Sequence, residues 1–357
     1  MARHVTDDGA VAPTSQQSVD AGSSSEPPAP RSRVRLLSGA FAAFLVGGLV
    51  TVQSMINGRL AEYVGGGFAG GSQAALVSFG TGLAIVTLAS LMVPRGRRGI
   101  AAVRRSLRRG VLRPWQVLGG SAGAFLVINQ GLTVPTIGVA LFAVAVVAGQ
   151  SVSGLVVDRA GLGPAGRRPI TAGRAVGATL AIVAVGLTVV QRLEGTQRLA
   201  GVAMLLALLP LLAGAGTSWQ QAVNGRVAVV GGPLAATWIN FAVGTSLLFV
   251  VWVGVQIAGA GADALPSPAS GDAWLYLGGS MGVLFIGLAA VLVRTLGVLI
   301  LGLCTIAGQV VVALGLDAVT GRADVGPLTI TGAVLTLVGV VVAALSTRRP
   351  TRPSLST

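Results

Sequence analysis

A series of apolar stretches, each of about 20 residues, recurs from Leu36 to Ser346 with arginines gathered in the gaps, and this pattern constrains the chain most. Crossing a hydrocarbon core of about 30 Å takes about 20 residues of helix, and lipid offers the backbone no hydrogen-bond partner, so such stretches must be helical. A barrel would need short strands of alternating polarity. These stretches are apolar on all faces and rich in Gly and Ala, which suits close helix packing in lipid. Only 10% of the side chains are charged and 53% are hydrophobic, where a soluble domain would carry roughly 25% charged residues. The fold class expected is all-α and integral to a membrane.

Apolar runs between charged or Pro/Gly breaks predict ten spans, near 36–57, 72–93, 115–133, 137–157, 175–191, 199–221, 234–258, 273–293, 296–316 and 327–346. The short turns at Val134–Thr136 and Arg294–Thr295 are where two helices can be counted as one. An even number of spans puts both termini on one side. The net charge of +14 comes from arginine alone, and with the N-terminus inside, 21 arginines fall on inner segments against 4 outside (Arg59, Arg192, Arg198 and Arg322). Both termini are therefore expected in the cytoplasm of a bacterial cell, with the chain in its plasma membrane. Residues 1–35 are rich in Ser, Ala, Pro and Asp and predict a disordered cytoplasmic tail, with a second short tail at 347–357. The first apolar run is too long for a cleavable signal.

An internal repeat divides what lies between. Gln53-Ser-Met-Ile-Asn57-Gly58-Arg59 recurs as Gln220-Gln-Ala-Val-Asn224-Gly225-Arg226, and Ser78-Phe79 with Gly82 recurs as Asn240-Phe241 with Gly244. Trp115 with Gly119, Gly120 and Gly123 matches Trp274 with Gly278, Gly279 and Gly282. Gly149-Gln150 and Asp158 match Gly308-Gln309 and Asp317 at identical spacing. Each copy holds five spans, an odd number, so 199–346 must cross the membrane in the sense opposite to 36–191, the inverted-repeat plan of many secondary transporters.

These elements resemble the drug/metabolite transporter (DMT) superfamily, with its EamA-like architecture, and within it the YdcZ-like branch of bacterial inner-membrane proteins. The resemblance is carried by Asn57-Gly58, by Gly149-Gln150 with Asp158-Arg-Ala-Gly161-Leu162-Gly163 and Pro169, and by the second copies at Asn224-Gly225, Gly308-Gln309 and Asp317. It covers about residues 36–346 and departs at Asp317-Ala-Val-Thr-Gly321, where the Gly-Leu-Gly is lost. It implies an exporter of small molecules and names no cargo.

Polar side chains inside the spans are the candidate pathway. Gln53 and Asn57, one turn apart, present two amides on one face, and Gln220 and Asn224 repeat them. The competing reading of each Asn-Gly is a helix C-cap. Gln130 lies near the outer end of the third span beside Asn129, where both could line the cavity or simply meet water. Gln150 with Asp158, and Gln309 with Asp317, sit two turns apart on shared faces. The aspartates are the candidates for an ion or proton site. For Asp158 a structural pair with Arg159, Arg167, Arg168 or Arg174 is favoured over that role, because a carboxylate at a helix C-terminus opposes the macrodipole unless paired. Gly119 with Gly123, and Gly278 with Gly282, are small-residue pairs suited to close backbone approach across the halves.

The segment Arg95–Arg113 carries eight arginines around Ile100, Val103 and Leu107. It reads as a surface helix on anionic lipid headgroups, in preference to nucleic-acid binding. One cysteine, Cys304, and one histidine, His4 in the tail, leave no basis for a disulfide or a metal site, and no nucleotide-binding loop or catalytic cluster is present. No cofactor and no enzymatic activity are expected. The reading is a secondary transporter of a small polar or amphipathic metabolite, with a non-transporting membrane scaffold or sensor as the alternative, and a homodimer is left open.

Overall fold

The computed structural model describes residues 30–164, 166–167, 169–193, 200–321 and 325–346. The tail expected at 347–357 and residues 1–29 of the one expected at 1–35 lie outside them. Every regular element among the described residues is helical: α1 (Pro30–Tyr63), α2 (Gly67–Met92), α3 (Pro94–Arg108), α4 (Gly119–Ala160), α5 (Ala172–Leu193), α6 (Ala200–Ile257), α7 (Gly278–Thr320) and α8 (Pro327–Ser346). Six of them contain stretches long and apolar enough to cross a membrane. α1 begins at Pro30, ahead of the expected tail boundary at 35, with proline in the first turn, where its missing N–H costs nothing.

Length alone shows that three helices cannot be single rods. At 1.5 Å per residue, α4 with 42 residues would extend about 63 Å, and α6 with 58 about 87 Å, far more than the hydrocarbon core. Both are broken at a glycine of positive φ: Gly138 (φ 77°, ψ 167°) in α4 and Gly232 (φ 80°, ψ 167°) in α6. A side chain would be strained there, and only glycine reaches this backbone region freely. The turn expected at Val134–Thr136 therefore falls a few residues later, at Gly138. In α7 the reversal is read from its neighbour. Gly278, Gly282 and Leu296 lie against Asn57, Gln53 and Gly39 of α1, running opposite to it. Gly308, Gln309 and Val312 then lie against Phe44, Thr51 and Gly48, and Asp317 shares a small pocket with Gly58. The chain thus doubles back between Leu296 and Gly308.

The deepest packing surrounds the part of α4 that follows its break, where Ile137 to Gly149 are all buried. One face of this segment packs with Ala313 of α7, another with Ala181, Ala184 and Val185 of α5. Glycines let backbones touch. A Cβ at Gly149 would strike the carbonyl oxygen of Leu211, and one at Gly214 that of Val146, while Gly308 and Gly47 stand in the same relation to Phe44 and Thr305. A second core joins α2 to the later part of α6 through Phe79 and Phe241, with ring centroids 5.1 Å apart. Each ring is seated on a glycine of the opposite helix, Phe241 on Gly82 and Phe79 on Gly244.

Candidate substrate pathway

The amides of α1 and α6 lie within their helices, since α1 runs on to Tyr63 and α6 to its break at Gly232. The C-cap reading of Asn57 and Asn224 is thereby corrected: flanking packing carries each helix past its Asn-Gly. Asn57 is fully buried (0% exposed), and its Nδ2 donates to Gln130 Oε1 at 2.6 Å. Gln130, 1% exposed, in turn donates to Ser54 Oγ at 2.9 Å, which itself donates to the Val50 carbonyl. Asn129, equally buried, donates back to the Phe125 carbonyl at 2.7 Å instead of facing the surface. On α6, Gln220 and Asn224 both donate to Asn240 Oδ1, at 2.8 and 2.9 Å.

Each amide pair rests on a glycine pair from another helix. Measured from where a Cβ would stand, Gly123 is 2.7 Å from Gln220 Nε2 and Gly119 is 2.5 Å from Asn224 Oδ1. Gly282 is 3.0 Å from Gln53 Nε2, and Gly278 faces Asn57 Oδ1 and Ser78 Oγ. The aromatic pair stands between the two clusters, the tip of Phe79 beside Gly123 and that of Phe241 beside Gly282. The clusters differ in one respect. Asn240 holds both amides of α6, whereas Ser78, the shorter residue at the matching place, makes no such bond, and Asn57 Oδ1 and Ser78 Oγ are both buried without a partner. Buried polar atoms left unpartnered in this way cost about 1–3 kcal/mol each.

Gln150 Nε2 donates to Thr217 Oγ1 at 2.8 Å, and its carbonyl accepts from Ser218 Oγ at 2.8 Å, so it ties α4 to α6. Gln309 accepts through its own carbonyl from Thr51 Oγ1 at 3.0 Å, tying α7 to α1. The two aspartates, matched in sequence, differ in surroundings. Asp158 pairs with Arg174 Nη2 of α5 at 2.5 Å, at an edge where the two side chains are 34% and 17% exposed. Asp317 is 2% exposed, and its two carboxylate oxygens accept from the backbone N–H of Val139 (3.0 Å) and Ala140 (2.7 Å). Those N–H groups open the helix that restarts after Gly138 and have no intrahelical acceptor. Asp317 thus lies near the C-terminus of its own helix yet caps the N-terminus of another, where negative charge is favoured. Arg59 lines the same small pocket. At the other end, Arg226 donates to the carbonyls of Leu162 (2.5 Å) and Gly161 (2.6 Å), a cation placed at the C-terminus of α4.

Sequence reasoning did not find the Asp317 cap, the Asn240 bridge or the role of Arg226. Asn240 stood in the repeat as the partner of Ser78, and that match was the available signal. A cavity of about 530 Å³ lies between α1 and α7 and is lined by aliphatic residues such as Leu45, Leu49, Val52, Leu288 and Val291. None of the amides lines it. The buried polar network is the better guide to a site for a polar ligand, because aliphatic grooves are ordinary on helices that face acyl chains.

A family model described as "Putative inner membrane exporter, YdcZ" matches residues 39–187 and 205–342. No curated protein matches the sequence. One solved structure, titled "Crystal structure of protein", aligns over 88% of this chain and 98% of its own, with 17% identity and a TM-score of 0.47.

Proposed function

The chain belongs to the YdcZ family of inner membrane exporters, and on that premise we propose that it is a secondary transporter working by alternating access between two inverted halves, 36–191 and 199–346. It is a multi-pass protein of the inner membrane. The ten spans of this reading are α1, α2, α5 and α8 together with the two parts each of α4, α6 and α7. The observation that carries it is the crossed seating of the amides. Gln53 and Asn57 of the first half rest on Gly282 and Gly278 of the second, and Gln220 and Asn224 of the second rest on Gly123 and Gly119 of the first. Such reciprocity is what a two-fold relation between halves produces, and the crossed seats of Phe79 and Phe241 support it too. A scaffold has no need of matched buried amides.

In this proposal both termini and α3 face the cytoplasm, with the α3 arginines at anionic lipid headgroups, so Gln53–Asn57 closes the outer end and Gln220–Asn224 the inner end. Gln130 holds the outer closure through Asn57; Gln150 and Gln309 tie the helices beside each gate. The cargo is a small polar or amphipathic metabolite. Asp158 and Asp317 are the candidates for a coupling ion or proton, and each already has its charge matched, so coupling through either requires that partner to let go.

The gates make opposite predictions, tested in a Cys304→Ala background with single reporters that are buried in the closed state. Val134→Cys, packed on Gly58, reports the outer end and Ala222→Cys, beside Gly163, the inner. Asn57→Ala should raise thiol labelling at 134 and lower it at 222, by about fivefold per kcal/mol of shifted equilibrium. Asn224→Ala should do the reverse. Labelling that changes in the same direction in both variants defeats the alternating gate, and absence of flux for any cargo in proteoliposomes, with or without a pH gradient, leaves the scaffold reading.

A further inference from the structure

α3 has no counterpart in the second half. Where it stands between α2 and α4, the matching residues 258–277 contain no arginine and form loop with one short 3-10 turn. α3 buries Gly96, Gly99 and Val103 on one face, and that face spans the break in α6. A Cβ at Gly99 would strike the carbonyl of Gly231 and stand 3.0 Å from Ala235 Cβ; one at Gly96 would stand 2.9 Å from a methyl of Leu234. Val103 lies beside Gly231 and packs with Val227 and Ala236. One rigid helix therefore grips α6 both before and after Gly232. Its other faces carry Arg95, Arg97, Arg98, Arg104, Arg105 and Arg108, all exposed, and no acidic residue. Arg97, Arg104 and Arg108 share one flank, and Arg98 and Arg105 point away from α6 with Arg109 just beyond them.

We propose that α3 is a lipid-responsive clamp: its arginines dock on anionic headgroups and, through Gly99 and Val103, the docked helix holds the α6 break that leads into Gln220 and Asn224. The two parts of α6 cannot change their mutual angle at Gly232 without α3 moving or losing its grip on one of them. A helix pinned at the membrane surface resists that motion, since each arginine near an anionic surface adds attraction and salt weakens it. The clamp rests on the inward placement of α3 and on α6 as a moving element, but not on any flux.

Hydrogen exchange of the full chain in lipid nanodiscs tests it, with phosphatidylcholine alone or mixed with phosphatidylglycerol. Phosphatidylglycerol should slow exchange of amides 227–236 by at least about fivefold, the factor expected from one arginine–headgroup contact, and leave amides 60–70 at the other end unchanged. The effect should vanish when Arg97, Arg98, Arg104, Arg105, Arg108 and Arg109 are all changed to Gln. It should shrink in Val103→Ala, whose arginines are intact and whose grip is loosened. Glycerol phosphate added to phosphatidylcholine nanodiscs should not reproduce it. The clamp is overturned by no lipid effect, by equal slowing at both ends, by persistence in the six-arginine variant, or by protection from glycerol phosphate or an RNA oligonucleotide without anionic lipid. Because exchange rather than flux is read, failure here leaves the transport reading standing, and absent flux leaves the clamp standing.

Discussion

Replacing Asp317 by Ala tests whether the restarted helix after Gly138 depends on a carboxylate from the far end of the chain. The side chain is buried and bonds two backbone N–H groups, of Val139 and Ala140, in surroundings closed to bulk water. Alanine leaves both without an acceptor, at about 1–3 kcal/mol each, so the expected loss is roughly 2–6 kcal/mol. Asparagine keeps one acceptor oxygen and should lose about half as much of this, and both replacements also forfeit the favourable charge at the helix N-terminus, itself up to about 2 kcal/mol. The order of stability should be Asp, then Asn, then Ala. Unfolding of detergent-solubilised protein by sodium dodecyl sulfate, followed by the fluorescence of its five tryptophans, reads the differences. If Ala and Asn both stayed within about 0.5 kcal/mol of the wild type, the range of an inconsequential surface change, the cap would contribute nothing and the argument would be wrong.

The Asp158–Arg174 pair is partly exposed, and pairs of this kind contribute about 0–1 kcal/mol. Asp158→Asn should therefore leave unfolding within about 1 kcal/mol of the wild type and flux driven by a pH gradient intact; loss of gradient-driven flux with ligand binding retained would assign the residue to coupling. A cysteine replacing Ala101, on the exposed side of α3, should resist an impermeant thiol reagent in intact cells and react once the membrane is opened, and labelling in intact cells would reverse the proposed orientation.

How far these features could be read beforehand depended on how local their causes are. The apolar runs, the matched Gln-Asn pairs and the paired glycines are written in short windows with fixed spacing, and their positions needed no tertiary knowledge. Helix ends were harder. Asn-Gly resembles a cap at Asn57, yet α1 runs on because packing of Leu60, Ala61 and Val64 in a buried cluster outweighs the local signal. The turn in α4 was expected at the helix-breaking Pro135 region, but the chain bends at the one residue that can take a positive φ, Gly138. For Asp317 the sequence window held the charge and its own helix end; the acceptor-seeking N–H groups lie 178 and 177 positions away, so only the folded arrangement turns an unfavourable carboxylate into a favourable one.

The crossed seating of Phe79 on Gly244 and Phe241 on Gly82 has a consequence for biosynthesis. When α2 enters the membrane, the glycine that receives its phenylalanine has not yet been translated, and Phe79 must wait among lipid tails for more than half of the remaining chain. Lipid is a tolerable host for a benzyl ring, so the delay costs little, but the first half emerges with a vacant seat at Gly82 and an unseated ring of its own. The contacts of 79 with 244 and of 82 with 241 run antiparallel, so two first halves inserted in the same sense cannot seat each other's rings. A chain truncated before α6 should then leave the insertion machinery with that seat unfilled, to be completed only by a separately made second half that crosses in the other sense.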